Sequence, residues 1–134
     1  MERLFADFEF LDDWEDRYKY VIELGRGLEP LAEADHTAEN KVQGCASQVW
    51  IRTDERPGKV MHFTGDSDAI IVRGLIAVVF ALYNDQTAEF ISRTDALAAM
   101  HRLGLSEHLS PQRSNGLKSM IGRIKADAAA ALQG

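Results

Sequence analysis

Apolar residues fall on one face of a predicted helix near the start of the chain. Asp12 and Glu15 fit the capping box that begins many helices, and apolar side chains follow them at helical spacing. The helix is expected to end at Gly25 or Gly27, so Gly25-Arg26-Gly27 is a helix stop rather than a dinucleotide-binding loop. The polar residues 28–44 have no sustained period and predict a loop with one helical turn or none.

Residues 47–64 have the pattern of a β-hairpin. Two runs, 47–53 and 60–64, are rich in β-branched and aromatic residues, and Pro57-Gly58 between them suits a tight turn. With a period of two, Cys45 shares the inward face of Val49 if the extended backbone reaches back that far. A third strand is also expected, with residues 40–44 as its candidate.

Four helices are predicted after the hairpin. The first begins at Asp66–Asp68, whose side chains can cap a helix, and it runs to about Tyr83 as the central buried helix. Shorter helices follow, one after Thr87 and one over about 94–103. The last begins at Ser110-Pro111. Its apolar stripe consists of Leu117, Met120, Ile121, Ile124, Ala128 and Ala131. Helices on both sides of one hairpin, without strand and helix alternation, predict an α+β fold.

Length and charge narrow the functional classes. With 134 residues and 14.9 kDa, the chain is expected to form one domain, residues 1–134. A formal charge of −6 at pH 7 disfavours nucleic-acid binding. The longest apolar stretch, 69–82, is interrupted by Arg73 and is too short to cross a membrane, and residues 1–5 lack the pattern of a secretion signal. A cytoplasmic protein without nucleic-acid or membrane partners is therefore expected.

A single cysteine carries the candidate chemistry. Cys45 is the only cysteine, which excludes an internal disulfide and a metal site with several thiolates from this chain. It lies between Gly44 and Ala46, directly before a predicted strand, where a nucleophile could meet a second reactant. The alternative is a small buried core residue. The histidines lack metal-ligand spacing, so no metal site is expected, and His36 would be the base if the chain were a cysteine hydrolase.

Several sequence blocks closely resemble the SufE family of sulfur-acceptor proteins. They are G-C-A-S-Q-V-W at 44–50, G-D-S-D-A at 65–69, G-L-I-A-V-V at 74–79 and L-S-P-Q-R-S-N-G-L at 109–117, in the family's order. The segment from Trp14 to Gly25 is also similar. The resemblance implies helices packed on a small curved antiparallel sheet, similar to the iron-sulfur scaffold proteins of the IscU type.

The same resemblance implies a function in iron-sulfur cluster assembly. Cys45 would take persulfide sulfur from a pyridoxal-phosphate cysteine desulfurase of the SufS or CsdA type, stimulate that enzyme and pass the sulfur to a downstream scaffold. The pyridoxal phosphate belongs to the partner, so this chain is expected to need no cofactor. A monomer or weak homodimer is expected. The alternatives are a cysteine hydrolase that uses a Cys45–His36 dyad and a non-catalytic interaction module.

Residue roles follow from the resemblance and from thiol chemistry. Arg113 opposes the dipole of the last predicted helix and is expected to lower the pKa of the Cys45 thiol. The candidates for the thiolate and persulfide environment are Gly44, Ala46, Ser47, Gln48 and Arg113. The candidates for partner binding are Lys41, Gln43, Asp66 and Asp68. The loop around Cys45 is expected to be tucked in at rest, which would shield a carried sulfur, and to swing out when the desulfurase binds.

Overall fold

The computed structural model describes all residues, Met1–Gly134, as helices around a three-stranded antiparallel sheet. The helices are α1 (Glu2–Phe10), α2 (Trp14–Arg26), α3 (Ile70–Tyr83), α4 (Ala88–Arg93), α5 (Ala96–Arg102), α6 (Leu105–His108) and α7 (Pro111–Gln133). The strands are β1 (Val49–Arg56), β2 (Val60–Ser67) and β3 (Gln86–Thr87), in the spatial order β1-β2-β3. The predicted α+β fold is confirmed. No helix combines the length and apolar character needed to cross a bilayer.

The predicted hairpin is present, and its strands are longer than expected. β1 and β2 pair from Val49 with Ser67 to Arg56 with Val60, and Pro57–Lys59 forms the connection. Gly58 adopts a φ of 79°, as the tight turn requires.

The prediction of a third strand at residues 40–44 was wrong. The third strand is β3, which pairs with β2. Residues 40–44 instead lie at the opposite edge of the sheet, where Lys41 forms an isolated bridge with Trp50. The extended backbone ends at Gly44, whose φ of 88° lies in the left-handed region. The segment is therefore too short to be a strand, although it does extend the hydrogen bonding of β1.

Two helices near the start of the chain refine the predictions. α1 was not predicted, and it buries Leu4, Phe5 and Phe8. α2 begins one residue later than expected, because Asp13 rather than Asp12 is the N-cap and accepts a hydrogen bond from the backbone N–H of Glu15. α2 ends at the predicted glycines, and the loop behind it contains one short 3-10 turn, as expected.

α3 is the central helix, as predicted, and eight of its fourteen residues are buried. The prediction that side chains of residues 66–68 cap it was wrong, because Ala69 is the N-cap residue and no side chain caps the helix. Asp66 and Ser67 continue β2 instead. The carboxylate of Asp68 instead accepts a hydrogen bond from the backbone N–H of Gln48, at the end of the segment that carries Cys45.

α7 buries the predicted apolar stripe and is also tied to the sheet by polar contacts. Arg123 donates to the carbonyl of Ile51 at 3.2 Å and pairs with Asp127, which in turn accepts from the Thr53 hydroxyl at 2.6 Å. These contacts fix the position of α7 relative to β1. The first turns of the helix consequently lie against the residues that precede β1.

Candidate functional site

Cys45 lies in the segment before β1 and packs against the second turn of α7. Gly116 of that turn faces the thiol, since a Cβ atom built there would lie 3.6 Å from Cys45 Sγ. The Sγ–H donates to the Gly116 carbonyl at 3.6 Å, as a weak hydrogen bond. β1 begins only at Val49, so strand parity does not orient Cys45. The thiol is half-buried because it lies against α7.

Gly44 allows the chain to approach α7 closely. A Cβ atom on Gly44 would lie 2.5 Å from Ser119 Oγ, and its φ of 88° suits glycine alone. The neighbouring residues Lys41 and Gln43 are exposed. The structure therefore places Gly44 as the residue that allows the thiol to lie on the helix, and it leaves these two candidates for partner binding on the surface.

A cavity of about 220 Å³ opens beside Cys45. Its walls include Ala46 and Ser47 from the loop, Val72 and Leu75 from α3, and Gln112 and Arg113 from α7. Three of the five predicted environment residues, namely Ala46, Ser47 and Arg113, thus lie in its wall. Gln48 does not line the cavity, and no histidine does.

Burial raises the pKa of the Cys45 thiol. The expected lowering of this pKa by Arg113 is therefore not found in this conformation. Arg113 lines the same cavity, but its side chain is exposed and makes no hydrogen bond to the sulfur. Because water solvates the guanidinium while the thiol is half-buried, desolvation decides the direction. The sheltered thiol is mostly protonated at neutral pH.

Asp68 holds the end of the segment that carries Cys45. Its Oδ1 accepts from the backbone N–H of Gln48 at 3.1 Å, and its own N–H donates to the Gln48 carbonyl at 3.3 Å. The two residues thus form a reciprocal pair between the Cys45 segment and the end of β2. Gln48 therefore contributes a backbone contact that holds the segment, and its side chain does not line the cavity.

Asp66 lies in a different environment from Asp68. Its carboxylate accepts from His36 Nε2 and from Arg73 Nε, each at 2.8 Å, and from the backbone N–H of Ser67. Burial acts to raise the pKa of Asp66, but these bonds outweigh it and lower the pKa. The carboxylate is already paired and is less available to a partner than the exposed Asp68.

His36 does not reach the cavity of Cys45. Its ring bonds Asp66, and it packs edge-on against Trp50 with ring centroids 4.7 Å apart. A cysteine hydrolase needs its base within hydrogen-bond reach of the nucleophile. The structure does not bring the two members of the hypothetical dyad together.

Comparison with known proteins identifies the family. The family model described as SufE, Fe-S metabolism associated domain, matches residues 2–128. The chain belongs to the SufE family. Two curated SufE-like proteins, both described as uncharacterized, come from Rhizobium meliloti and Rhizobium etli, and each is 53% identical over 131 residues. The alignments cover 96% of this chain in both cases, and 94% and 88% of the respective relatives.

A solved structure supports the SufE-like fold. The solution structure of a hypothetical protein from Thermus thermophilus superposes with a TM-score of 0.80, over 99% of this chain and 96% of the other. The two sequences are 18% identical, so this likeness concerns the fold alone. Membership of the SufE family connects the chain with Fe-S metabolism, which confirms the coarse part of the functional prediction.

Sequence reasoning missed the α7 residues that complete this SufE-family site. Gly116 and Ser119 contact the Cys45 segment, and Met120 lines the cavity. A glycine inside an otherwise regular helix often marks a close approach of another segment, so Gly116 was the available signal. Its partner could not be named from the sequence, because Cys45 is 71 residues away.

Asp68→Ala removes the acceptor of the Gln48 N–H, a hydrogen bond worth roughly 1 kcal/mol. Because this bond restrains the segment that carries Cys45, its loss is expected to speed alkylation of Cys45 by about fivefold. Asp68→Asn keeps an Oδ1 acceptor for the Gln48 N–H and is expected to react at close to the wild-type rate. The rates are measured with iodoacetamide at one fixed pH. Equal rates in all three proteins would show that the Asp68 contact does not restrain the segment.

Proposed function

We propose that this SufE-family protein is a sulfur acceptor in iron-sulfur cluster assembly. Cys45 takes the terminal sulfur of a persulfide from a pyridoxal-phosphate cysteine desulfurase of the SufS or CsdA type, and later passes it to a downstream scaffold. The observation that supports this best is the position of the chain's only thiol, half-buried at the wall of a small cavity that no histidine lines. The chain itself needs no cofactor for this reaction.

The transfer follows from thiol and disulfide exchange chemistry. The Cys45 thiolate attacks the terminal sulfur of the desulfurase persulfide, the bond between the two sulfurs of that persulfide breaks, and the desulfurase cysteine leaves as a thiolate. A new sulfur–sulfur bond on Cys45 replaces the broken one, so no external oxidant or reductant is consumed. Because the desulfurase recovers its free cysteine, acceptance of the sulfur also stimulates its turnover.

The cavity beside Cys45 suits a carried sulfur. At about 220 Å³ it leaves room for one more sulfur atom on Cys45, and its walls cover part of the approach to that atom. Docking on the desulfurase would then have to expose the thiol. Three exposed residues lie on or next to the segment that carries Cys45, namely Lys41, Gln43 and Asp68. We assign them to the surface that contacts the desulfurase.

We assign Arg113 the role of stabilising the persulfide anion on Cys45. We expect Arg113→Ala to slow single-turnover sulfur transfer by about tenfold, since a cation at the cavity wall stabilises a nearby anion, while Arg113→Lys should retain part of the rate. The measurement is rapid-quench transfer from a persulfidated desulfurase, with thermal unfolding as the control for folding. Unchanged transfer in Arg113→Ala would remove Arg113 from the mechanism.

Mass spectrometry tests the proposed function directly. The chain is incubated with cysteine and a SufS-type desulfurase, and in a parallel arm with a CsdA-type desulfurase. The expected product is a gain of about one sulfur atom on Cys45 that a reductant removes. A chain that remains unmodified with both enzymes would contradict the proposal.

The proposal further describes one domain, residues 1–134, acting in the cytoplasm as a monomer or weak homodimer.

A further inference from the structure

A long segment before Cys45 is held to the sheet with little burial. None of residues 26–41 is buried, and the next buried residue is Val42. Two surface clefts of about 340 and 290 Å³ lie beside Leu28 and Glu29. We call residues 28–41 the strap. Leu28 packs against the core, and polar contacts also hold the strap to the sheet.

Three side-chain ion pairs connect the strap to the sheet. Asp35 pairs with Arg52 at 2.8 Å. The other two pairs involve histidines on opposite partners, since His36 belongs to the strap and reaches β2, whereas His62 belongs to β2 and reaches the strap. Among these side-chain types, only histidine has an ordinary pKa close to neutral pH.

His36 has acceptors at both ring nitrogens. Nε2 lies 2.8 Å from Asp66 Oδ2, and Nδ1 lies 3.0 Å from the Ala32 carbonyl oxygen. A carboxylate and a carbonyl oxygen only accept hydrogen bonds, so both bonds exist together only when both nitrogens carry a proton. The geometry is that of an imidazolium cation.

His62 has the same arrangement. Nδ1 lies 2.7 Å from Asp85 Oδ1, and Nε2 lies 3.2 Å from Glu29 Oε1. Both partners are carboxylates, and the His62 side chain is only 12% exposed. A neutral ring could donate to one of these carboxylates and would face the other with a lone pair.

Arginine side chains lie beside several of these carboxylates. Arg73 from α3 bonds Asp66, and Arg56 from β1 bonds Asp85. Arg52 from β1 pairs with Asp35, next to His36 in the strap, and also with Asp54. Because Arg73 is a permanent cation beside Asp66, His36 is the member of the His36–Asp66 pair that changes protonation as the pH rises above neutrality.

We propose that His36 fastens the strap to β2 as an imidazolium cation, next to the hydrogen bond between His62 and Glu29, and that the loss of the His36 proton releases the strap. The C-terminal end of the strap stays bonded to β1, because the Asn40 carbonyl accepts from the Ile51 N–H and Val42 donates to the Val49 carbonyl. Release therefore frees residues 28–39, ahead of the segment that carries Cys45. The proposal concerns the conformation of the free protein and stands independently of sulfur transfer.

The direction of the pH effect follows from His36. The bond to Asp66 raises the pKa of His36 above its ordinary value of 6.5, although burial opposes the shift. A raised pKa means that this contact stabilises the folded strap fully below pH 6.5 and is lost as the pH rises through the higher, folded-state pKa. The strap is therefore held more firmly below the folded-state pKa of His36 and loosens as the pH rises through it.

Hydrogen exchange of the whole chain tests the proposal. The reporters are two amides that are bonded within the strap, those of Asp35 and His36. Exchange is corrected for intrinsic rates at about pH 6 and about pH 9, on either side of ordinary histidine titration. We expect wild-type protection of the strap to fall by roughly five- to tenfold between them, as each lost bond is worth about a factor of ten or less.

Two variants of His36 test this result. His36→Arg keeps a cation beside Asp66 at every pH and should hold strap protection constant. His36→Gln carries no charge there and should leave the strap loose at both pH values. Amides of α3 serve as the internal reference in each protein, so the wild-type profile stands even if a variant folds poorly. Wild-type protection that does not fall relative to α3, or an equal fall in a folded arginine variant, would overturn the proposal.

Discussion

Cys45→Ser is expected to abolish sulfur acceptance, with a loss of about a thousandfold or more. Serine has nearly the shape of cysteine, so the cavity and the contact with Gly116 should persist. Its hydroxyl is not ionised at neutral pH and does not form a stable persulfide, which leaves the desulfurase without an acceptor. The assay is the gain of sulfur by mass spectrometry, together with the cysteine-dependent turnover of the desulfurase.

His36→Arg is the matched control for this experiment. It removes the imidazole that a hydrolase dyad would need, but it keeps a cation beside Asp66. Sulfur acceptance by this variant is expected to stay close to that of the wild type. A Cys45→Ser chain that still stimulates the desulfurase to the normal degree would favour an interaction module, and a strong loss in His36→Arg would favour a dyad.

The resting site and the proposed reaction require different states of Cys45. Burial raises the pKa of the thiol, whereas the reaction needs the thiolate. The same burial would partly shelter a carried sulfur from other thiols. Both requirements are met if partner docking moves the segment out of contact with α7. The Asp68 contact with Gln48 is then the restraint that docking must release.

The sequence predicted the parts of the fold that depend on local pattern. The apolar stripe of α7 and its Ser110-Pro111 start were correct because periodicity and capping are properties of neighbouring residues. β3 was missed because two residues are too few to show a strand period. The start of α3 was misplaced because Asp66–Asp68 offer oxygens that could cap a helix. The pairing of β2 with β1 keeps Asp66 and Ser67 in the strand, so α3 starts later, with Ala69 as its N-cap.

The candidate site was predictable only in part for the same reason. Cys45 and Gly44 stand out in the sequence as a lone thiol beside a flexible residue. Their position against Gly116 depends on packing between distant segments, and so does the direction of the pKa shift at the thiol. A charge such as Arg113 can be read from a sequence, but its effect on a thiol depends on burial that only the fold determines.

The largest expected effect on stability concerns the crossing of α2 and α3. Gly74→Ala should lower the free energy of unfolding by about 3 kcal/mol, because overpacking against backbone cannot be relieved by a rotamer change. A Cβ atom on Gly74 would lie 2.4 Å from the Val21 carbonyl oxygen and 2.6 Å from its Cγ1. The reciprocal position is equally crowded, since a Cβ atom on Gly25 would lie 2.6 Å from the backbone nitrogen of Gly74. The two helices would have to move apart.

Gly122→Ala is the matched control, because Gly122 also lies inside a helix but has no atom within 4 Å of a built Cβ. There the change should raise stability by about 0.5–1 kcal/mol, since alanine has the higher helix propensity. Urea unfolding followed by far-UV circular dichroism measures both variants, and the two changes are expected to have opposite signs. If Gly74→Ala unfolds at the wild-type urea midpoint, the two helices tolerate a wider separation. The glycine pair would then not determine how closely α2 packs on α3, the helix that forms one wall of the Cys45 cavity.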